Sequence, residues 1–97
     1  DDKTFAAAAA GADWFSVPGM GISLVNQRGA DSWPITGATF VLMYRNPADK
    51  AAAGEALKFF EWSFRNGKDM ALELDYVPLP DALTKVITSK VWTQIAR

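Results

Sequence analysis

The feature that most restricts the fold is a run of seven residues, 38–44, in which every residue except Thr39 is apolar. In an extended conformation its two faces would carry Thr39, Val41 and Met43 on one side and Ala38, Phe40, Leu42 and Tyr44 on the other. Apolar side chains on both faces are typical of a strand in a sheet that helices cover on both sides. The run therefore predicts a buried strand, which ends at the break formed by Arg45, Asn46 and Pro47.

An alanine-rich helix is predicted over residues 4–10, with Asp2 or Thr4 as its N-cap and Gly11 at its end. A Pro/Gly-rich turn follows at residues 16–21. The polar, glycine-containing residues 26–32 are typical of a loop.

The longest predicted helix spans residues 47–65, with Asn46 as its N-cap and Pro47 at its first position. Its apolar stripe consists of Ala53, Ala56, Leu57, Phe60 and Phe64. Glu61 and Arg65 on the opposite side stand four residues apart, in the order that favours an ion pair.

Two further helices complete the pattern. A short one is predicted over residues 68–74, and an extended proline-containing linker follows at 75–80. A final helix begins at Pro80 or Asp81, with apolar residues at four-residue spacing: Leu83, Ile87, Val91 and Ile95.

The composition excludes several classes of function. The chain has no His and no Cys, so the usual general base, thiolate nucleophile and commonest metal ligands are missing. We therefore expect no enzyme, no catalytic residue, no metal site and no cofactor. Its net charge of −1 supplies no basic surface for nucleic acid.

Three short motifs have a functional interpretation beside a structural one. Gly19 and Gly21 resemble part of a phosphate loop, but a turn is the better explanation because the third glycine and the following Lys-Ser/Thr are missing. The hydroxyls and glycine of residues 36–39 suit a small anion or an ordinary strand. Glu73 and Asp75 are interpreted as solvated charges at a helix end rather than as a catalytic pair.

Four aromatic residues lie off the stripe of the long helix: Trp14, Trp33, Phe59 and Trp62. This excess predicts a surface that another molecule covers, and it argues against an independent monomer. No window reaches the roughly 20 apolar residues that span a bilayer. Because the chain begins at Asp1, we expect a processed chain or part of a longer protein, with any export signal upstream.

Particular strings resemble the periplasmic phosphate-binding protein of phosphate ABC transporters. They are Phe5-Ala6-Ala7-Ala8-Ala9, Gly11-Ala12-Asp13-Trp14, Trp33-Pro34-Ile35-Thr36, Leu57-Lys58-Phe59-Phe60-Glu61-Trp62, Asn66-Gly67, and Leu74-Asp75-Tyr76-Val77-Pro78-Leu79-Pro80-Asp81. Their order and spacing are similar to those of the C-terminal part of that family, across nearly the whole chain.

The resemblance implies an α/β fold, namely the C-terminal part of a two-lobed type II periplasmic binding protein. Mainly helices would pack on a strand of the lobe-one sheet. Residues 1–28 would form the tail of lobe two, residues 29–36 the crossing between lobes, and residues 37–97 the completion of lobe one.

The resemblance also implies a function for the full-length protein: an exported, periplasmic receptor that binds inorganic phosphate and delivers it to the membrane permease. The family's phosphate ligands lie upstream of this segment, so no phosphate-binding residue is identifiable here. Arg28, Arg45 and Arg65 do not match the ligand motifs and receive no role.

A fragment of this kind is expected to self-associate or to pair with the missing N-terminal part. Two alternatives stay open. One is a non-catalytic structural or protein-interaction domain that reuses the half-lobe. The other is a receptor for sulfate, molybdate or another oxyanion, because the broad fold does not determine the ligand.

Overall fold

The computed structural model describes all 97 residues as helices, turns and irregular chain. The chain divides into two compact units, Asp1–Phe40 and Val41–Arg97, and each is described by itself. No helix in either unit combines the length and apolarity needed to cross a lipid bilayer.

The first unit begins with helix α1, Asp2–Gly11. Its N-cap is Asp1, whose carboxylate accepts a hydrogen bond from the backbone N–H of Thr4 at 2.9 Å. The Thr4 hydroxyl lies 3.0 Å from the amino group of Asp1, so the two side chains cap the helix reciprocally. The prediction of Asp2 or Thr4 as the N-cap was wrong. With Asp1 in that position, both the carboxylate of Asp1 and the hydroxyl of Thr4 accept a hydrogen bond.

Trp14 closes the C-terminal end of α1. Its indole Nε1 donates to the carbonyl of Ala9 at 2.9 Å, and carbonyls of the last helical turn lack a partner within the helix. Trp14 is buried together with Ala8, Ala9 and Leu24. The prediction that Trp14 lies on an uncovered surface was wrong, because this bond draws the ring inward.

One backbone hydrogen bond and one aromatic contact join the later part of the first unit to α1. A 3₁₀ turn at Pro18–Met20 follows the helix. The amide of Trp33 donates to the carbonyl of Thr4 at 3.1 Å, and the rings of Phe5 and Trp33 lie 6.3 Å apart. The predicted turn near residue 18 is confirmed.

The second unit is built on α2, Lys50–Asn66. The carboxylate of Asp49 caps it by accepting from the backbone N–H of Ala52 at 2.9 Å. The helix therefore starts three residues later than predicted, since an aspartate suits both the free N–H groups and the helix dipole. The predicted end at Asn66 and Gly67 is confirmed, with the amide of Gly67 donating to Ser63 at 2.8 Å.

The predicted faces of α2 are confirmed. Ala53 and Leu57 are buried, Leu57 with only 1% of its surface exposed, while Phe60 and Phe64 are half-buried. On the polar side the guanidinium of Arg65 donates to Glu61 at 2.8 Å.

The last segment of the chain is not the single helix that its four-residue spacing predicted. After α3, Lys68–Glu73, and α4, Asp81–Val86, the chain continues as a π-helical turn, Ile87–Val91, and a 3₁₀ turn, Trp92–Gln94. Hydroxyls explain the break: Ser89 Oγ donates to the carbonyl of Lys85 at 2.7 Å, and such side chains compete with the helical backbone bonds.

An aromatic stack holds this end of the second unit. The rings of Phe64 and Trp92 lie 5.6 Å apart and nearly parallel, at 9°. The amide of Ala96 donates to the carbonyl of Arg45 at 2.8 Å. Leu83 of α4 is buried.

The predicted α/β fold was wrong, because the structure contains no strand and no sheet. Residues 38–44 are irregular, and no backbone hydrogen bond joins them to another part of the chain. A strand needs a neighbouring strand to satisfy its N–H and C=O groups. No segment of the 97 residues pairs with this one, so its apolar pattern alone does not produce a strand.

We expect Leu57→Ala to lower the free energy of unfolding by about 2–5 kcal/mol, because it opens a cavity at a fully buried position. Leu57→Met, which keeps the volume, should cost less than about 1.5 kcal/mol. Urea unfolding followed by far-ultraviolet circular dichroism measures both. Leu74→Ala is the control, since Leu74 is 70% exposed; equal losses at the two positions would contradict the proposed core.

Candidate functional site

No polar or charged residue is buried in this chain. All ionisable side chains are exposed except that of Glu61, which is half-buried. No group of three or more acidic side chains comes together in a geometry that would hold a metal ion. The chain therefore provides no desolvated polar cluster of the kind that shifts pKa values at catalytic sites.

The glycines near residue 20 belong to an exposed turn. Gly19 has a left-handed backbone with φ of 74°, and Met20 follows with φ of 59°. The amide of Met20 donates to the carbonyl of Val17 at 3.2 Å. No strand precedes this turn, so the surroundings of a dinucleotide or phosphate loop are missing.

The hydroxyls of residues 36–39 do not converge on a common point. The Thr36 hydroxyl donates to the carbonyl of Trp33 at 3.0 Å, which occupies its one proton. Gly37 and Thr39 are exposed. The strand end that would have aligned this segment toward an anion is absent.

Glu73 and Asp75 lie at and just beyond the end of α3, and both are exposed. Asp75 has a left-handed backbone with φ of 61°, where the chain leaves the helix. Neither carboxylate has a hydrogen bond or ion pair within the chain. They are solvated charges at a helix end, as the sequence pattern indicated.

The three arginines that the sequence analysis considered as phosphate ligands, Arg28, Arg45 and Arg65, have different surroundings. Arg65 pairs with Glu61 on α2, while the side chains of Arg28 and Arg45 are exposed. The carbonyls of these last two residues accept hydrogen bonds, Arg28 from Ser32 Oγ at 2.8 Å and Arg45 from the amide of Ala96. Their contribution to the structure is through the backbone.

The ion pair that joins α3 to α4 was not predicted from the sequence. The ammonium of Lys68, at the start of α3, donates to the carboxylate of Asp81, at the start of α4, at 2.5 Å. The hydrogen bond and the charge of Lys68 lower the pKa of Asp81, and the charge of Lys85 contributes less. Thirteen residues separate the partners, so no local spacing rule identifies the pair.

Many large apolar side chains are exposed. Of the four aromatic residues predicted to need covering, Trp33, Phe59 and Trp62 are exposed. The most exposed apolar segment is residues 41–44, where Leu42 is 94% and Tyr44 83% exposed. Contiguous apolar exposure of this kind marks surfaces that associate with other chains or segments.

Comparison with known proteins relates the chain to phosphate-binding proteins, although no family model matches it. The phosphate-binding protein PstS of Pasteurella multocida is 41% identical over 93 residues, which cover 96% of this chain and 27% of that protein. PstS of Haemophilus influenzae is 40% identical over 94 residues, covering 97% and 28%. PstS of Xylella fastidiosa is 45% identical over 85 residues, covering 88% and 23%.

The chain thus spans about a quarter of the length of these relatives. The resemblance seen in the sequence strings is confirmed, and the match is consistent with a C-terminal segment of such a protein.

We expect Lys68→Met to raise the pKa of Asp81 toward its ordinary value of 3.8, because it removes both the donor and the nearest positive charge. Lys85→Met should raise it less. Carboxyl carbon shifts in an NMR pH titration measure both variants. A pKa that is the same in the two variants would contradict the pairing.

The same pair makes stability depend on pH. Because folding lowers the pKa of Asp81, the pair stabilises the folded chain above the ordinary aspartate pKa. That contribution is lost as the pH falls through the lower, folded value. Asp81→Asn should lack this component, and high salt should weaken it, since the pair is exposed.

Proposed function

Because the chain is related by sequence to the PstS phosphate-binding proteins, we propose that it is a segment of a phosphate receptor. The full-length receptor binds inorganic phosphate and passes it to the membrane permease of an ABC-type import system. It acts in the periplasm and catalyses no reaction. The observation that carries this proposal is identity of 40–45% to several such proteins over nearly the whole chain.

The structure supports placing the phosphate site outside these 97 residues. A selective site for a small anion needs several converging donors in a closed cleft. Many of the hydroxyl groups here donate instead to backbone carbonyls three or four residues earlier in the chain, as those of Ser16, Thr84 and Thr88 do. With no polar side chain buried, the segment contributes framework to the receptor, and its ligands come from elsewhere.

The exposed apolar side chains support the proposal that a longer chain covers this segment. In the full receptor, contacts that exclude water would bury apolar surface of Trp33, Phe59 and Trp62. Such burial stabilises the folded protein by about 25 cal/mol per Å². The remaining three-quarters of the relatives' length is the source of that cover. We accordingly propose that the segment pairs with the N-terminal part of the receptor.

A structural or interaction domain is the second candidate function. The same apolar surface favours it, since a partner protein buries such side chains as well as a longer chain does. The two candidates differ in one respect: only the receptor contains a site for phosphate once the segment is joined to the rest of the chain.

Isothermal titration of phosphate tests the proposal. A protein of the relatives' length that includes these 97 residues should bind one phosphate per molecule. The isolated chain should release no measurable heat of binding. Titration with sulfate and molybdate separates phosphate from other oxyanions.

Three outcomes decide among the candidates. If the long protein binds none of the three anions, the proposal of a receptor is contradicted and the interaction domain is favoured. If the long protein binds sulfate or molybdate more tightly than phosphate, the proposal of a receptor stands with a different ligand. Tight binding by the isolated chain would contradict the placement of the site.

A further inference from the structure

We propose that Asn66 is a modification site, where the side-chain amide is hydrolysed through a cyclic imide formed with the backbone nitrogen of Gly67. The hydrogen bonds at the end of α2 slow this reaction, and opening of the last helical turn allows it. Water is the only co-reactant. The proposal concerns the local geometry of the second unit and does not depend on phosphate binding.

The reaction involves no oxidation or reduction. The backbone nitrogen of Gly67 loses its proton to base in the solvent and attacks Cγ of Asn66, and the new C–N bond closes the imide. The bond between Cγ and Nδ2 breaks, and the side-chain nitrogen leaves as ammonia. Water then opens the imide at either carbonyl. One product is aspartate with the original main chain, and the other is isoaspartate, in which the main chain runs through the former side chain.

The residue that follows each asparagine distinguishes Asn66 from the others. The asparagines of the chain are Asn26, Asn46 and Asn66, and all are exposed. Asn46 precedes a proline, which has no N–H proton to lose. Asn26 precedes a glutamine, whose side chain hinders the approach of the nitrogen to Cγ. Asn66 precedes a glycine, which has no Cβ.

The fold requires this glycine. A Cβ atom at position 67 would lie 2.6 Å from the carbonyl oxygen of Ser63, a contact that side chains do not make. The same close approach lets the amide of Gly67 donate to that carbonyl at 2.8 Å. The reactive pair of Asn66 and Gly67 is therefore a consequence of how α2 ends.

Two hydrogen bonds protect the pair in the folded chain. The bond from the amide of Gly67 to Ser63 occupies the proton that must be lost. Nδ2 of Asn66 donates to the carbonyl of Trp62 at 3.0 Å, which anchors the side chain to the preceding turn. Both bonds must break before the nitrogen reaches Cγ. Helix ends open at a lower free energy than the rest of a domain, so opening of this turn determines the rate.

The isoaspartyl product changes the junction between α2 and α3. It lengthens the main chain by a methylene immediately before Gly67. The amide of Gly67 donates to Ser63 on one side, and its carbonyl accepts from the amide of Ala71 at 2.9 Å on the other. The longer main chain shifts the register between these two bonds, so the modification acts on the connection of two helices.

Mass spectrometry after incubation in mildly alkaline buffer tests the site and its protection. A glutamate-specific protease releases residues 62–73, which contain Asn66, and the change from amide to acid raises the mass of this peptide. Asn66 should react at least about tenfold more slowly in the folded chain than in guanidinium chloride. Asn26 and Asn46 are internal controls and should react more slowly than Asn66 in the unfolded chain. Equal rates for Asn66 in the two states, or a faster reaction at either control, would overturn the proposal.

Two glycine substitutions in α2 test which part of the helix must open. Arg65→Gly weakens the last turn, because glycine has low helix propensity and the ion pair with Glu61 is lost. It should accelerate the reaction of Asn66 in the folded chain about fivefold. Ala51→Gly makes the matched change at an exposed position of the first turn and should leave the rate within about twofold.

Each rate is divided by that of the same variant in guanidinium chloride, which removes any direct effect of the substitution on the chemistry. Equal acceleration by the two variants would indicate that the whole unit must unfold, and it would overturn the role of the last turn. Failure of Arg65→Gly to accelerate the reaction would overturn it as well.

Discussion

Burial of a few apolar side chains beside helices is the constraint on which the rest of the structure depends. In the first unit the buried residues are two alanines of α1 with Trp14 and Leu24, and in the second they are Ala53, Leu57 and Leu83. Each set is small, because a short chain has little interior relative to its surface. The capping bonds at Asp1 and Asp49 and the indole bond of Trp14 hold the helices that provide these surfaces.

The same constraint explains what remains uncovered. Once α2 has buried Leu57, its neighbours Phe59 and Trp62 point away from the core and stay exposed. In the proposed receptor, the additional residues of the longer chain would cover this apolar surface. The stability of this segment therefore depends on the residues that pack against its exposed apolar side chains.

Much of the helical part was predictable from local pattern. The stripe and polar face of α2 and its end at Gly67 follow from spacing and from glycine at the C-terminus, because helical hydrogen bonds join residues four apart. The cap positions differed by one to three residues, since several Asp, Asn and Thr side chains compete there. Among the ion pairs, the Glu61–Arg65 pair was predictable because its residues stand four apart on one helix. The Lys68–Asp81 pair was not, because it joins two helices and follows no local spacing pattern.

By itself the sequence determined the location of α1, α2 and α3, the exclusion of His and Cys chemistry, and the relation to phosphate-binding proteins. These features rest on residue identity and on contacts between near neighbours. Only the tertiary structure decided that Trp14 is buried and that residues 38–44 form no strand. The physical reason is the separation along the chain between the residues that interact. A helix satisfies its backbone within itself, whereas a strand and a buried side chain require distant partners, and the apolar pattern does not state whether those partners are present.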